Sequence, residues 1–111
     1  MNTRSKMRRS NQKAIEYLLE RGYEAVYLQQ HLRWDTITYF KDGTKLKSKD
    51  MLGLFDGIAL KDGKIWFLQI STNRFHPKQP YVDFSNRYKA NIILINVKDR
   101  KGISARILIS I

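Results

Sequence analysis

Leu54-Phe55-Asp56-Gly57-Ile58-Ala59-Leu60-Lys61-Asp62-Gly63-Lys64-Ile65-Trp66-Phe67-Leu68-Gln69-Ile70-Ser71-Thr72 holds two apolar runs around an Asp-Gly pair. Asp-Gly between such runs signals a tight hairpin turn, because both turn positions need positive φ. Phe55 to Leu60 and Lys64 to Ser71 are therefore expected to pair as antiparallel strands. Ile65 to Ile70 is almost unbroken apolar sequence, which places the second strand in the middle of a sheet, covered on both faces. Polar residues gather at one end: Asp56 opens the first strand, and Gln69 and Ser71 lie near the end of the second. Positions 69 and 71 share a face, and the tight turn brings that face near Asp56. An acid, an amide and a hydroxyl thus meet at the margin of a core, where an unpaired polar group is costly.

Working outward, Thr3 to Arg21 reads as a helix. Ser5 is placed to cap it, Met7, Ala14, Ile15, Leu18 and Leu19 recur at helical spacing, and Gly22 ends it. Its first half carries Arg4, Lys6, Arg8, Arg9 and Lys13 and no acid. Positive charge there opposes the helix dipole, so the pattern suits phosphate contact as well as a frayed, solvated terminus. Tyr23 to Leu28 reads as a strand. Thr36 to Phe40 is one arm of a second hairpin turning at Asp42-Gly43, and Lys45, Lys47 and Lys49 alternate along its other arm. With Arg33, Trp34 and Tyr39 nearby, this mixture suits a flap touching nucleic acid; lysines also protect an edge strand from pairing. Thr72 to Pro80 is a loop carrying Arg74, His76 and Lys78. Tyr81 to Ala90 reads as a helix, Asn91 to Val97 as a buried strand, and Ile103 to Ile111 as a final strand. The order is α-β-(hairpin insert)-β-β-α-β-β, an α/β fold with a mixed central sheet and flanking helices, in a single domain over residues 1–111.

Composition bounds the function. The 111 residues include 21 Lys plus Arg against 10 Asp plus Glu, a formal charge of +11. A small domain needs less charge than this for solubility, and the excess suits a polyanionic partner, above all nucleic acid. There is no cysteine, which excludes disulfides, thiolate zinc sites and a cysteine nucleophile. No apolar run approaches the ~18–20 residues of a membrane span, and no signal peptide opens the chain. A soluble, intracellular (cytoplasmic) protein without membrane contact is expected.

The element order and the polar end of the hairpin resemble the PD-(D/E)xK (restriction-endonuclease-like) superfamily, in particular archaeal Holliday junction resolvases. Leu54 to Leu60 looks like the strand bearing the superfamily's Asp. Phe67-Leu68-Gln69-Ile70-Ser71 looks like the strand that ordinarily ends in an acid and a lysine. Lys49-Asp50-Met51-Leu52-Gly53-Leu54-Phe55-Asp56 followed by Gln69-Ile70-Ser71-Thr72 is also similar to a K-D-x-F-G-x-x-D…Q-x-T-S variant in small phage and bacterial members. The resemblance implies a DNA-binding, nuclease-like domain, acting on double-stranded or branched DNA as a homodimer.

It further implies catalytic positions at Asp56, Gln69 and Ser71 and a metal, Mg²⁺ or Mn²⁺, held by Asp56; Asp50, which precedes Asp56 across a bend at Gly53, is placed to supply a second carboxylate in compensation. Only Asp56 is standard. Gln69 puts a neutral amide where the superfamily has an anion, and Ser71 puts a hydroxyl where it has a cation. An altered site, weak or inactive, is the expectation. The alternative is an active metal-dependent endonuclease with a non-standard ligand set, in which Lys49 or Lys89 replaces the lost cation and Glu16 or Glu20 reaches in from the first helix. Arg4, Lys6, Arg8, Arg9, Arg33, Lys45, Lys47, Lys49, Arg74, Lys78 and Lys89 are the expected nucleic-acid contacts.

Overall fold

A computed structural model describes residues 3–29, 35–98 and 102–108, with the side chains of residues 3–8 outside that description. Helix α1 runs Thr3–Glu20 and strand β1 Ala25–Leu28. Strands β2 (Thr36–Tyr39) and β3 (Lys45–Ser48) form the inserted hairpin. Strands β4 (Gly57–Lys61) and β5 (Lys64–Thr72) form the central one. Helix α2 (Gln79–Tyr88), β6 (Asn91–Lys98) and β7 (Gly102–Leu108) complete the chain.

The main sheet has the order β1-β4-β5-β6-β7, and β2-β3 is a separate two-stranded sheet. Pairing is antiparallel except between β5 and β6, which run parallel. Parallel neighbours need a crossover, and α2 is that crossover. The predicted turn is present: Asp62 and Gly63 both take positive φ, 54° and 73°. β5 and β6 are central, as their apolar runs require, and all of residues 92–97 are buried.

Each face of the sheet has one helix. Ala14 and Leu18 of α1 pack on Leu68, Ile93, Ile95 and Val97 with Tyr23 and Trp66. On the other face Tyr81 and Phe84 of α2 meet Phe55, Phe67, Ile92 and Leu94. Phe55 is fully buried, with ring centroids 5.0 Å from Phe67 and Phe84 and 5.9 Å from Tyr81.

Boundaries shift for local reasons. Ser5 lies inside α1 rather than at its cap, because the helix begins at Thr3. Its other end is closed by the N–H of Gly22 on Leu19 O and that of Tyr23 on Leu18 O, with Gly22 at φ +90°, a Schellman closure. Tyr23 leaves β1 to pack edge-on against Trp66 at 6.2 Å. α2 starts two residues earlier than the apolar pattern suggests, because Pro80 suits a first helical turn, where its missing N–H costs nothing. No helix among the described residues is long and apolar enough to cross a membrane.

Candidate functional site

The end of the central hairpin is built around Asp56. Its N–H donates to Leu68 O at 2.7 Å, and its carbonyl accepts the N–H of Gln29 at 2.7 Å. Its carboxylate Oδ2 accepts the N–H of Ile70 at 2.8 Å. The side chain therefore continues the β4–β5 ladder beyond the backbone of β4, and sits beside the segment that carries Gln69 and Ser71.

Asp50 reaches the same end through a short turn. Leu52 and Gly53 both take positive φ, 58° and 73°, and Met51 and Phe55 form an isolated antiparallel bridge. Stepping one residue outward from that bridge sets Asp50 opposite Asp56. Tyr81 reports on both acids. Burial, together with the charges of Asp56 and Asp50, pushes its phenol up to about 12.

Gln69 and Ser71 share the α2 face, as their spacing requires, and both are buried. Their hydrogen bonds run elsewhere than expected. Gln69 Nε2 donates to Ile70 O at 3.3 Å and lies 3.2 Å from His76 Nδ1, while its Oε1 is buried without a partner. Ser71 Oγ lies 3.1 Å from Asn96 Oδ1 and 3.3 Å from Ile95 O, a pair of acceptors its one proton can serve. Asn96 and Tyr81 were not legible as site residues, because neither lies in the short motif; His76 was legible as part of the basic loop but not as a neighbour of Gln69. Parallel pairing of Ser71 with Asn96 brings Asn96 in, and the loop after β5 brings His76.

Beyond Ser71 a cleft of about 1190 Å³ opens between the loop 73–78 and the ends of β6 and β7. Arg74, Lys78, Lys98 and Arg106 line it, and its described lining residues include no acid. Two of these cations, Lys98 and Arg106, had no sequence signal of their own. The start of α1 lies toward this same end of the sheet, tied there by Ser10 Oγ to Thr72 Oγ1 at 2.8 Å.

The remaining expected residues fall elsewhere. Lys45 and Lys47 project from the exposed side of β3, and Lys49 pairs with Asp35 at 3.1 Å. Lys89 caps the far end of α2 at φ 53°, just before Asn91, which is in register with Trp66. That is the opposite end of β5 from Ser71, so Lys89 does not replace the missing cation. Glu16 and Glu20 are exposed, and Glu16 accepts from Gln12 on its own helix. Neither supplies a ligand. Arg9 is exposed on α1. Arg33, Trp34 and His31 lie outside the described residues, as do the side chains of Arg4, Lys6 and Arg8.

Among the described residues no group of three or more His, Cys, Asp or Glu gathers as a metal cage. The oxygen donors at this end are Asp56, Asp50 and the orphaned Oε1 of Gln69. That set suits a single hard cation that keeps several of its waters. It does not supply the carboxylates a two-metal centre would need. No family model, curated protein or solved structure matches the chain.

Proposed function

We propose that the chain binds nucleic acid, double-stranded or branched DNA in particular, through a nuclease-like α/β domain whose hydrolytic site is altered. The observation that carries binding is a cleft at one end of the sheet lined by four cations and, among its described lining residues, no acid. Arg74, Lys78, Lys98 and Arg106 line one cleft there, beside the basic start of α1, in a chain of formal charge +11. Such a surface gains affinity by displacing counterions from phosphates. The PD-(D/E)xK resemblance supports the same reading: α1, β1, a hairpin insert, β4, β5, α2, β6 and β7 follow in its order.

The altered chemistry follows from Ser71. A lysine there would stabilise charge developing on a phosphate; the Ser71 hydroxyl faces Asn96 and Ile95 O instead and carries no charge. The second reading, a metal-dependent endonuclease, is favoured by one feature, the unpartnered Oε1 of Gln69 on the strand to which Asp56 bonds. A bound Mg²⁺ or Mn²⁺ would supply Lewis acidity and an activated water. Asp56, Asp50 and Gln69 would hold it.

Labelled duplex and four-way-junction DNA, incubated with protein and then with Mn²⁺, test both readings. Retention of the DNA without cleavage is the expected result. Cleavage by the wild type that disappears in Asp56→Ala would replace it with the second reading.

A further inference from the structure

The cleft beyond β5 has a floor unlike a diffuse basic surface. Asn96 is fully buried in β6, where the other residues from Ile92 to Val97 are Ile, Leu or Val. Its Oδ1 lies 3.1 Å from Ser71 Oγ, and its Nδ2 has no partner. A buried donor without a partner costs stability that an apolar side chain of the same shape would avoid. Asn96 nevertheless lines the cleft, and Ser104 lies opposite it in register on β7. Arg106, on the same face, has its guanidinium 4.1 Å from the Phe75 ring centroid. Stacking orients that fork while leaving its N–H edges free to bind oxygen anions.

We propose that this cleft is a phosphate seat for a nucleic-acid strand. The Asn96 amide donates at the floor, Arg106 and Lys98 bind from the β6–β7 side, and Arg74 and Lys78 bind from the loop. It adjoins the Asp56 end of the hairpin through Ser71 and His76, but reaches across β5: Asn96 is on β6, whereas Asp56 precedes β4 on the other side of β5. A neutral amide donor beside cations suits a phosphate oxygen, since it adds a directed hydrogen bond to charge attraction. The strand as the source of the phosphate rests on the proposed function; the phosphate chemistry of the cleft does not.

Amide NMR of the ¹⁵N-labelled protein, titrated with inorganic phosphate at constant ionic strength, tests the seat directly. Saturable shifts are expected at the Asn96 side-chain amide, at Ser104 and in the loop 73–78, with the hairpin residues 45–48 unmoved. Lys98→Gln combined with Arg106→Gln should weaken phosphate binding at least about tenfold. Asn96→Leu should abolish the saturable shift at Ser104 while the protein still melts cooperatively.

Short strands with and without a 5′-phosphate then identify the source. Preference for the phosphorylated strand assigns a strand end, and equal occupancy of the cleft assigns internal phosphates. Saturation by inorganic phosphate without any binding of strands or duplex would remove the proposed function and leave the seat in place. Phosphate shifts that are absent from the cleft, or equally large at the hairpin lysines, would overturn the seat.

Discussion

Asp56 holds three segments together: its backbone joins Gln29 and Leu68, and its carboxylate takes the N–H of Ile70. Asp56→Ala leaves that N–H half-buried and unpaired. Urea unfolding should show a loss of about 1–3 kcal/mol. Asp56→Asn keeps an acceptor oxygen and should lose less. Tyr81 gives a second prediction at this scale. Its folded pKa, about 12, is raised above the ordinary value of 10.0. The folded state therefore holds the phenol proton more tightly than the unfolded chain. That stability is fully present below pH ~10 and is lost as pH rises toward ~12. Between pH 9 and 11 the melting temperature of wild type should fall further than that of Tyr81→Phe. Equal falls would mean the phenol is not held between burial and the two acids. The acid, amide and hydroxyl were legible as a convergence because hairpin register and two-residue spacing are readable from a single chain. Their partners were not. Asn96 and His76 arrive through a parallel pairing and a loop conformation, neither of which leaves a local pattern.

Gly57 shows why the strand after Asp56 begins with glycine. A Cβ there would lie 1.9 Å from Tyr27 O and 2.9 Å from Leu28 Cα, so β1 could not remain paired with β4 at Leu28. Gly57→Ala should destabilise the fold by about 2–3 kcal/mol through overpacking. Hydrogen exchange should rise first along Ala25–Leu28, and unchanged protection in β1 would contradict the close approach. Most elements were legible because their signals are local: Asp62-Gly63 for the turn, Gly22 for the end of α1, the Ile-Leu-Val run for β6. The shifts arose where tertiary packing outweighed pattern. Tyr23 belongs by sequence to β1 yet packs beside Trp66 instead, and Pro80 begins α2 where the apolar pattern alone suggested a loop.

At the scale of the whole molecule, charge and topology point the same way. The cations of the cleft line one end of the sheet, with the start of α1 toward that end, whereas the lysines of β3 belong to a separate hairpin whose residues Thr38 to Phe40 lie by Ile65 and Lys89, toward the other end of β5. Charge was readable from composition, but the cation set of the cleft was not, because Lys98 and Arg106 reach it only through the β6–β7 pairing. Reversing Lys45, Lys47 and Lys49 to Glu should weaken DNA binding alike for all sequences, since phosphate contacts carry no base information. Lys49 should contribute least, being already paired with Asp35. The most direct measurement is the affinity for duplex DNA across a series of salt concentrations. A straight fall of log affinity with log salt is expected, with a slope of about −0.9 for each phosphate neutralised. Affinity indifferent to salt, or no binding even at low salt, would contradict it.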